Sequence, residues 1–290
     1  MQTDTAAPAS TLAGTARAWA RRLEAITSSP RLEAELLVLQ AVGLPRTALY
    51  THPQRPMDAA ELERATRLLE RRLRGEPLAY VLGSWGFWDL DLLTPRGVLV
   101  PRPETECLVE LVLGQLEPEA PLRVLDLGTG SGCIALALAR ERPRWQVTAT
   151  DAYATPLETA RLNARRLGLD GRLRWLQGDW YEAVRGEEPF DAIVCNPPYI
   201  RAEDACFVEE PALRFEPREA LAGGPDGLQA LHRVIHGAPV HLRAGGLLAV
   251  EHGWDQAQPV RTLFTHAGLT GVHTRQDLGK RDRVTWGRRP

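Results

Sequence analysis

The feature that most constrains this chain is the short apolar stretch Arg123–Leu127, which runs directly into Gly128-Thr129-Gly130-Ser131-Gly132 and then into a helical pattern, Ile134–Arg140. Alternate glycines let the backbone turn tightly between strand and helix. They also let a ligand reach the helix N-terminus without meeting a side chain. A turn that only redirects the chain has little use for three of them. The segment therefore predicts a strand–loop–helix unit of a parallel sheet, with a small-molecule site at the loop.

The surrounding sequence repeats that rhythm. Further strands are predicted at Gln146–Thr150, Leu173–Gln177, Ala192–Cys195 and Leu247–Glu251, and the first four strands are each followed by a long crossover. Such alternation predicts an α/β fold, a doubly wound and mostly parallel sheet with helices on both faces. The tail differs: Val272–Gln276 and Arg283–Trp286 are close together and predict an antiparallel C-terminal hairpin.

Ahead of the sheet, helical patterning covers Leu12 to Arg74. One helix is predicted at Leu12–Ile26, and a second starts at Pro30. A third begins at Asp58 with Glu61 as its capping-box partner and ends at Gly75. Residues 1 to about 9 read as disordered. Between the helices and the sheet, Trp85–Val100 reads as a β-hairpin about a Pro95-Arg96-Gly97 turn. The predicted organisation is a helical domain over 1–83, a linking hairpin over 84–102 and a catalytic domain over 103–290.

Composition excludes several function classes. With 35 basic against 37 acidic residues the net charge is −2, which gives no bulk attraction to nucleic acid or membrane. The four cysteines lack CxxC spacing, so neither a zinc site nor a disulfide framework is expected, and a reducing cytoplasm fits. The polar start Met-Gln-Thr-Asp-Thr is not a signal peptide, and the longest apolar run, Cys133 to Ala139, is too short to span a bilayer. His232, His236 and His241 have no H-E-x-x-H context and read as a solvated helix face, not as metal ligands. Arg71-Arg72-Leu73-Arg74 reads as a solvated helix end, with contact to a partner as the alternative.

At the glycine loop the main competitor is a dinucleotide site, whose G-x-G-x-x-G/A fingerprint would need Gly or Ala where Cys133 stands. The observed G-x-G-x-G, preceded by Asp126, resembles the S-adenosylmethionine loop of class I methyltransferases. Asp151, ending the next strand, is placed to accept hydrogen bonds from ribose hydroxyls. Its alternative is a helix N-cap. Gly178-Asp179-Trp180 follows the third strand, where Asp179 could accept from an adenine amino group and Trp180 could pack on the ring.

The fourth strand ends in Asn196-Pro197-Pro198-Tyr199. Ligands of open parallel sheets bind beyond the carboxyl ends of strands, so this loop shares the crevice with the glycine loop. A planar amide or aromatic amine is a poor nucleophile, and a site must accept from its two N–H groups and fix its plane for in-line attack. The Asn196 side-chain carbonyl supplies one acceptor. The Pro197 carbonyl supplies the other, with Pro198 holding Pro197 extended. Tyr199 offers a flat face to the substrate. The loop alone does not separate a carboxamide from an adenine.

Other segments do. They are Gly75-Glu76-Pro77-Leu78-Ala79-Tyr80-Val81-Leu82-Gly83, Pro101-Arg102-Pro103-Glu104-Thr105-Glu106, Phe215-Glu216-Pro217-Arg218-Glu219-Ala220-Leu221 with Gly223-Gly224-Pro225-Asp226-Gly227-Leu228, Glu251 with Gly253 and Gln256, and Arg281-Asp282-Arg283-Val284. Together these resemble the PrmC/HemK family, the bacterial peptide-chain release factor glutamine methyltransferases. The resemblance runs in order from about residue 12 to 288. It departs at Gly279-Lys280, where Ala-Gly is expected.

The resemblance implies a class I methyltransferase fold and N5-methylation of the glutamine in the Gly-Gly-Gln motif of class I release factors. It implies cofactor contacts at Gly128, Thr129, Gly130, Ser131, Gly132, Asp151, Trp180 and Asn196, to which position in the fold adds Asp179. The glutamine site falls on Asn196, Pro197, Pro198 and Tyr199. No metal, membrane or stable nucleic-acid contact is expected, and the chain is read as a monomer. The competing readings are a DNA or RNA amino-methyltransferase and a glutamine methyltransferase of a ribosomal protein. Roles for Arg102, Glu104 and Glu106 are left open.

Overall fold

A computed structural model of the chain describes residues 10–290, so the expectation for residues 1 to 9 lies outside the described residues. The chain forms two compact units. One takes the chain up to Gly83 together with Pro211–Phe215, and the other takes Ser84–Glu210 and Glu216–Pro290.

The first unit is helical, with main helices Leu12–Leu23, Pro30–Val42 and Ala59–Leu73. Their ends follow local chemistry. Pro30 opens the second helix and Gly43, at φ 67°, closes it. At the third, the Asp58 side chain accepts from the Glu61 N–H at 2.7 Å, and the Glu61 carboxylate accepts from the Asp58 N–H at 3.0 Å. The arginine run is a solvated end only at Arg74, which is exposed. Arg72 is buried and pairs with Glu33 at 2.6 Å, while Arg71 pairs with the buried Glu76 at 2.6 Å. A short helix at Leu78–Leu82 follows, which periodicity had not marked.

The second unit holds nine strands: β1 Ser84–Phe87, β2 Leu90–Leu93, β3 Arg123–Leu127, β4 Gln146–Asp151, β5 Leu173–Gln177, β6 Phe190–Cys195, β7 Leu242–Glu251, β8 Thr270–Gln276 and β9 Asp282–Arg288. The hairpin is real but shorter than expected. β1 and β2 pair about Trp88-Asp89, not about Pro95-Gly97. Trp88 takes φ 56°, and its N–H donates to Glu106 Oε1 at 2.7 Å, so a distant carboxylate stabilises a turn that local sequence does not announce. The Pro95-Arg96-Gly97 segment is a separate bend beyond β2.

The seven-stranded sheet has the order β5-β4-β3-β6-β7-β9-β8, with β3 to β7 parallel and β9 antiparallel to both its neighbours. Alternation along the strands divides the core. Val124, Ala192, Val194 and Ala249 face the layer of helices Glu106–Gln115 and Cys133–Glu141. Leu125, Leu127, Ile193 and Val250 face helices Gln229–His241 and Ala257–His266. The chain leaves β3 toward β4 and β5, then returns to β6 on β3's other side. That reversal opens a crevice at the carboxyl ends of β3 and β6.

Candidate active site

Leu127 and Cys195 are register partners, so the loops that follow them emerge side by side. Gly128, Gly130, Asp151, Asp179, Trp180, Asn196, Pro197 and Pro198 line a single cavity of about 460 Å³. That volume falls within the range of small-molecule sites. Gly128 and Gly130 have φ of 70° and 57°, and a Cβ on either would meet nothing within 4 Å. Bare backbone thus faces open space. Gly132 serves the fold instead: its Cβ would fall 3.0 Å from Ala160 and Leu136 side chains, so its absence lets two helices approach. Thr129 and Ser131 are buried and, with Gly132, do not line the cavity.

Two acids organise the loop. Asp126 is fully buried, accepts the Thr129 hydroxyl at 2.7 Å, and is pushed up to about 7 by burial, with the nearby Asp151 adding to the shift. Asp151 accepts the Gly130 N–H on one oxygen and the Tyr153 N–H on the other, both at 3.0 Å. It therefore fixes the glycine loop while its carboxylate still faces the cavity, where its remaining lone pairs suit ribose hydroxyls. Burial raises its pKa as well. Trp180 holds φ 47° at the cavity wall, an unfavourable left-handed backbone for a non-glycine residue. Asp179 lines the same wall and pairs with Arg233 at 3.2 Å.

The Asn196 amide NH2 donates to Thr105 Oγ1 at 3.0 Å. Tyr199 does not line the cavity. Its hydroxyl donates to Glu251 Oε1 at 2.9 Å, beneath the loop. Burial holds the Tyr199 hydroxyl far above the usual phenol range, so it stays protonated.

Backbone contacts brace Pro198 to Ile200. Ile200 and Ala222 form a parallel bridge, with the Ile200 N–H on the Leu221 carbonyl at 2.9 Å and the Gly223 N–H on the Ile200 carbonyl at 2.8 Å. The Gln256 side chain donates to the carbonyls of Tyr199 at 3.0 Å and Gly227 at 3.3 Å, while its own oxygen accepts the Gly253 N–H at 2.8 Å. The segments around Gly223 and Gln256 therefore hold the loop itself. Arg102 pairs with the buried Glu216 at 2.6 Å, and the Val100 N–H donates to the same carboxylate at 3.0 Å. Sequence reasoning missed several cavity residues, among them Tyr153, Arg96 and Pro217. Arg96 and Pro217 lay in segments already singled out, Arg96 as part of a turn and Pro217 as part of the resemblance, but neither had been given a place in the site.

Among the described residues, His232 and His236 are exposed and pack ring on ring at 4.1 Å along one helix face. No helix there is long and apolar enough to cross a membrane.

The sheet order, the bare glycine loop and the strand-end acid together define a class I methyltransferase that uses S-adenosylmethionine. Residues 15–83 match the PrmC N-terminal domain, and residues 105–210 match the methyltransferase small domain. A release factor glutamine methyltransferase of Xylella fastidiosa is 51% identical over 90% of this chain and 94% of its own. One of Bordetella pertussis is 49% identical over 89% and 94%. In fold alone the chain resembles a methyltransferase of Pyrococcus furiosus, with a TM-score of 0.53 and 20% identity over 77% of this chain and 98% of that one. The chain belongs to the release factor glutamine methyltransferase family.

Proposed function

We propose that this enzyme transfers a methyl group from S-adenosylmethionine to the side-chain amide nitrogen of the glutamine in the Gly-Gly-Gln motif of class I release factors. The single observation that carries the chemistry is the convergence of Asn196 and Pro197 with Gly128, Gly130 and Asp151 on one cavity. The residues fit the cofactor: open space beside two glycines admits a ligand against the backbone, and Asp151 suits a nucleoside. S-adenosylmethionine, when bound, supplies a methyl already activated by its sulfonium.

The protein's own task is to present the amide. Its planar nitrogen donates to the Asn196 side-chain oxygen and to the Pro197 carbonyl, which fixes the plane and aims the lone pair. No strong base is needed, because an N-alkylated amide cation is very acidic and loses its proton to water. Pro198 keeps Pro197 extended, and the Tyr199–Glu251 bond holds the loop from below. Docking of the protein substrate is assigned to the helical unit, on its match to the PrmC N-terminal domain. A translation factor as substrate places the reaction in the cytoplasm.

The test is transfer of labelled methyl from S-adenosylmethionine to a release factor or to DNA. Label on the release factor supports the reading, and label on DNA alone overturns it. Asn196→Ala should lower turnover about 10²- to 10³-fold while cofactor binding persists. Unchanged turnover would remove Asn196 from the amide site.

A further inference from the structure

A fully buried asparagine ties together two segments that wall the cofactor cavity, yet does not itself line it. Asn163 belongs to helix Ala154–Arg166. Its side-chain oxygen accepts the Leu93 N–H at 2.7 Å. Its NH2 donates to the Leu93 carbonyl at 3.3 Å and to the Ser131 carbonyl at 2.9 Å. A peptide N–H only donates and a carbonyl only accepts, so these partners fix which end of the amide points where. At the end of β2, Leu93 is thus bonded by a side chain much as a neighbouring strand would bond it.

Both segments run on into the cavity wall. Gly130, next to Ser131, lines it as bare backbone. Beyond Leu93 the chain forms a strap whose Arg96, Gly97 and Leu99 line it as well. The far end of the strap is tied at Val100, whose N–H donates to Glu216 at 3.0 Å. The helix that carries Asn163 also lines the cavity, at Thr155 and Pro156 of its first turn, and its Ala160 lies where Gly132 leaves no room for a side chain. We propose that Asn163 is a positioning residue for the cofactor, setting the separation between the glycine loop and the strap. The proposal rests on S-adenosylmethionine occupying this cavity and names a residue outside it that fixes its width. Without the amide, the Leu93 N–H and the Ser131 carbonyl lose this partner and the two walls are no longer held to one helix.

The experiment measures S-adenosylmethionine binding by calorimetry and methyl transfer to a release factor in wild type, Asn163→Ala and Asn163→Asp. The alanine removes all three bonds. The isosteric aspartate keeps the acceptor for Leu93 but sets an oxygen against the two carbonyls, so either variant serves if the other fails to fold. Expected is an S-adenosylmethionine Kd raised roughly tenfold with a full complement of sites, while the release factor KM stays within about threefold of wild type. Fewer sites at the wild-type Kd, or equal rises in Kd and release factor KM, would mark a merely structural role and overturn the proposal. Leu99→Ala trims the strap's wall directly. Combined with Asn163→Ala, its effect on Kd should fall short of the product of the two by at least about threefold, whereas Asp179→Asn, elsewhere on the cavity, should multiply. Multiplying effects for Leu99→Ala overturn the proposal. One readout needs no variant: in wild type, saturating S-adenosylmethionine should slow hydrogen exchange of the Leu93 amide, and unchanged exchange there overturns the proposal too. Failure of wild type to bind S-adenosylmethionine at all would instead overturn the cofactor reading.

Discussion

Replacing Gly223 with alanine tests how closely the reacting loop is held. Gly223 does not have positive φ, so alanine brings no backbone strain there, and the effect is steric. The new Cβ would lie 2.6 Å from the Pro198 carbonyl oxygen, 2.7 Å from that of Gly227 and 2.9 Å from Tyr199 Cα. All three are backbone atoms, so no flexible side chain can give way. Restoring an ordinary 3.4 Å separation needs a displacement of about 0.8 Å, taken up by the loop that carries Asn196 and Pro197. A misplacement near 1 Å at a reacting centre costs roughly 10²-fold in rate, and overpacking costs about 1–3 kcal/mol of stability. The expected outcome is a kcat for release factor methylation lower by about 10- to 100-fold, with S-adenosylmethionine affinity measured by calorimetry near wild type. Gly114→Ala is the matched control. Gly114 lies exposed within helix Glu106–Gln115 and its Cβ would meet nothing, so that variant should gain up to about 1 kcal/mol and keep its activity. Wild-type turnover in Gly223→Ala, at full folding, would refute the claim that this backbone contact positions the loop.

Other perturbations probe separate parts. Arg102→Ala leaves the buried Glu216 carboxylate with only the Val100 N–H, and thermal melts should show a loss approaching about 3 kcal/mol; a melt within error of wild type would mean that the pair is energetically idle. Asp126 has a folded pKa near 7, above its unfolded value, so its protonated form is the one that folding favours. Stability is then fully present below about pH 4 and falls as pH rises toward 7. Asp126→Asn should flatten that part of the denaturant-midpoint profile, and an unaltered profile would contradict the assignment. Asp58→Ala removes the cap of helix Ala59–Leu73 and should cost about 1 kcal/mol in chemical denaturation. Loss within 0.2 kcal/mol of zero would show the cap to be dispensable, since ~1 kcal/mol is typical.

Much of the fold was legible in sequence because its rules are local. The strand Arg123–Leu127 and its three glycines, the cap at Asp58 and the proline start at Pro30 each depend on residues a few positions apart. The hairpin turn was misplaced for the opposite reason. Pro95-Arg96-Gly97 carries strong turn chemistry, yet the reversal at Trp88-Asp89 is held by Glu106, which no local rule connects to it.

The site divides along the same line. By itself the sequence determined that Asn196-Pro197 and Gly128 to Gly132 stand at strand ends, and strand-end loops of a parallel sheet share one edge. It could not separate the glycines that leave room at the cavity, Gly128 and Gly130, from Gly132, which admits a neighbouring helix, because spacing is blind to what a Cβ would meet. Nor could it say that Tyr199 points to Glu251 and that Thr105 takes the Asn196 NH2. Only the tertiary structure decided those pairings. Hydrogen bonds between β6, β7 and the turn at Thr105 join residues far apart in the chain, and their geometry exists only once the sheet has been assembled.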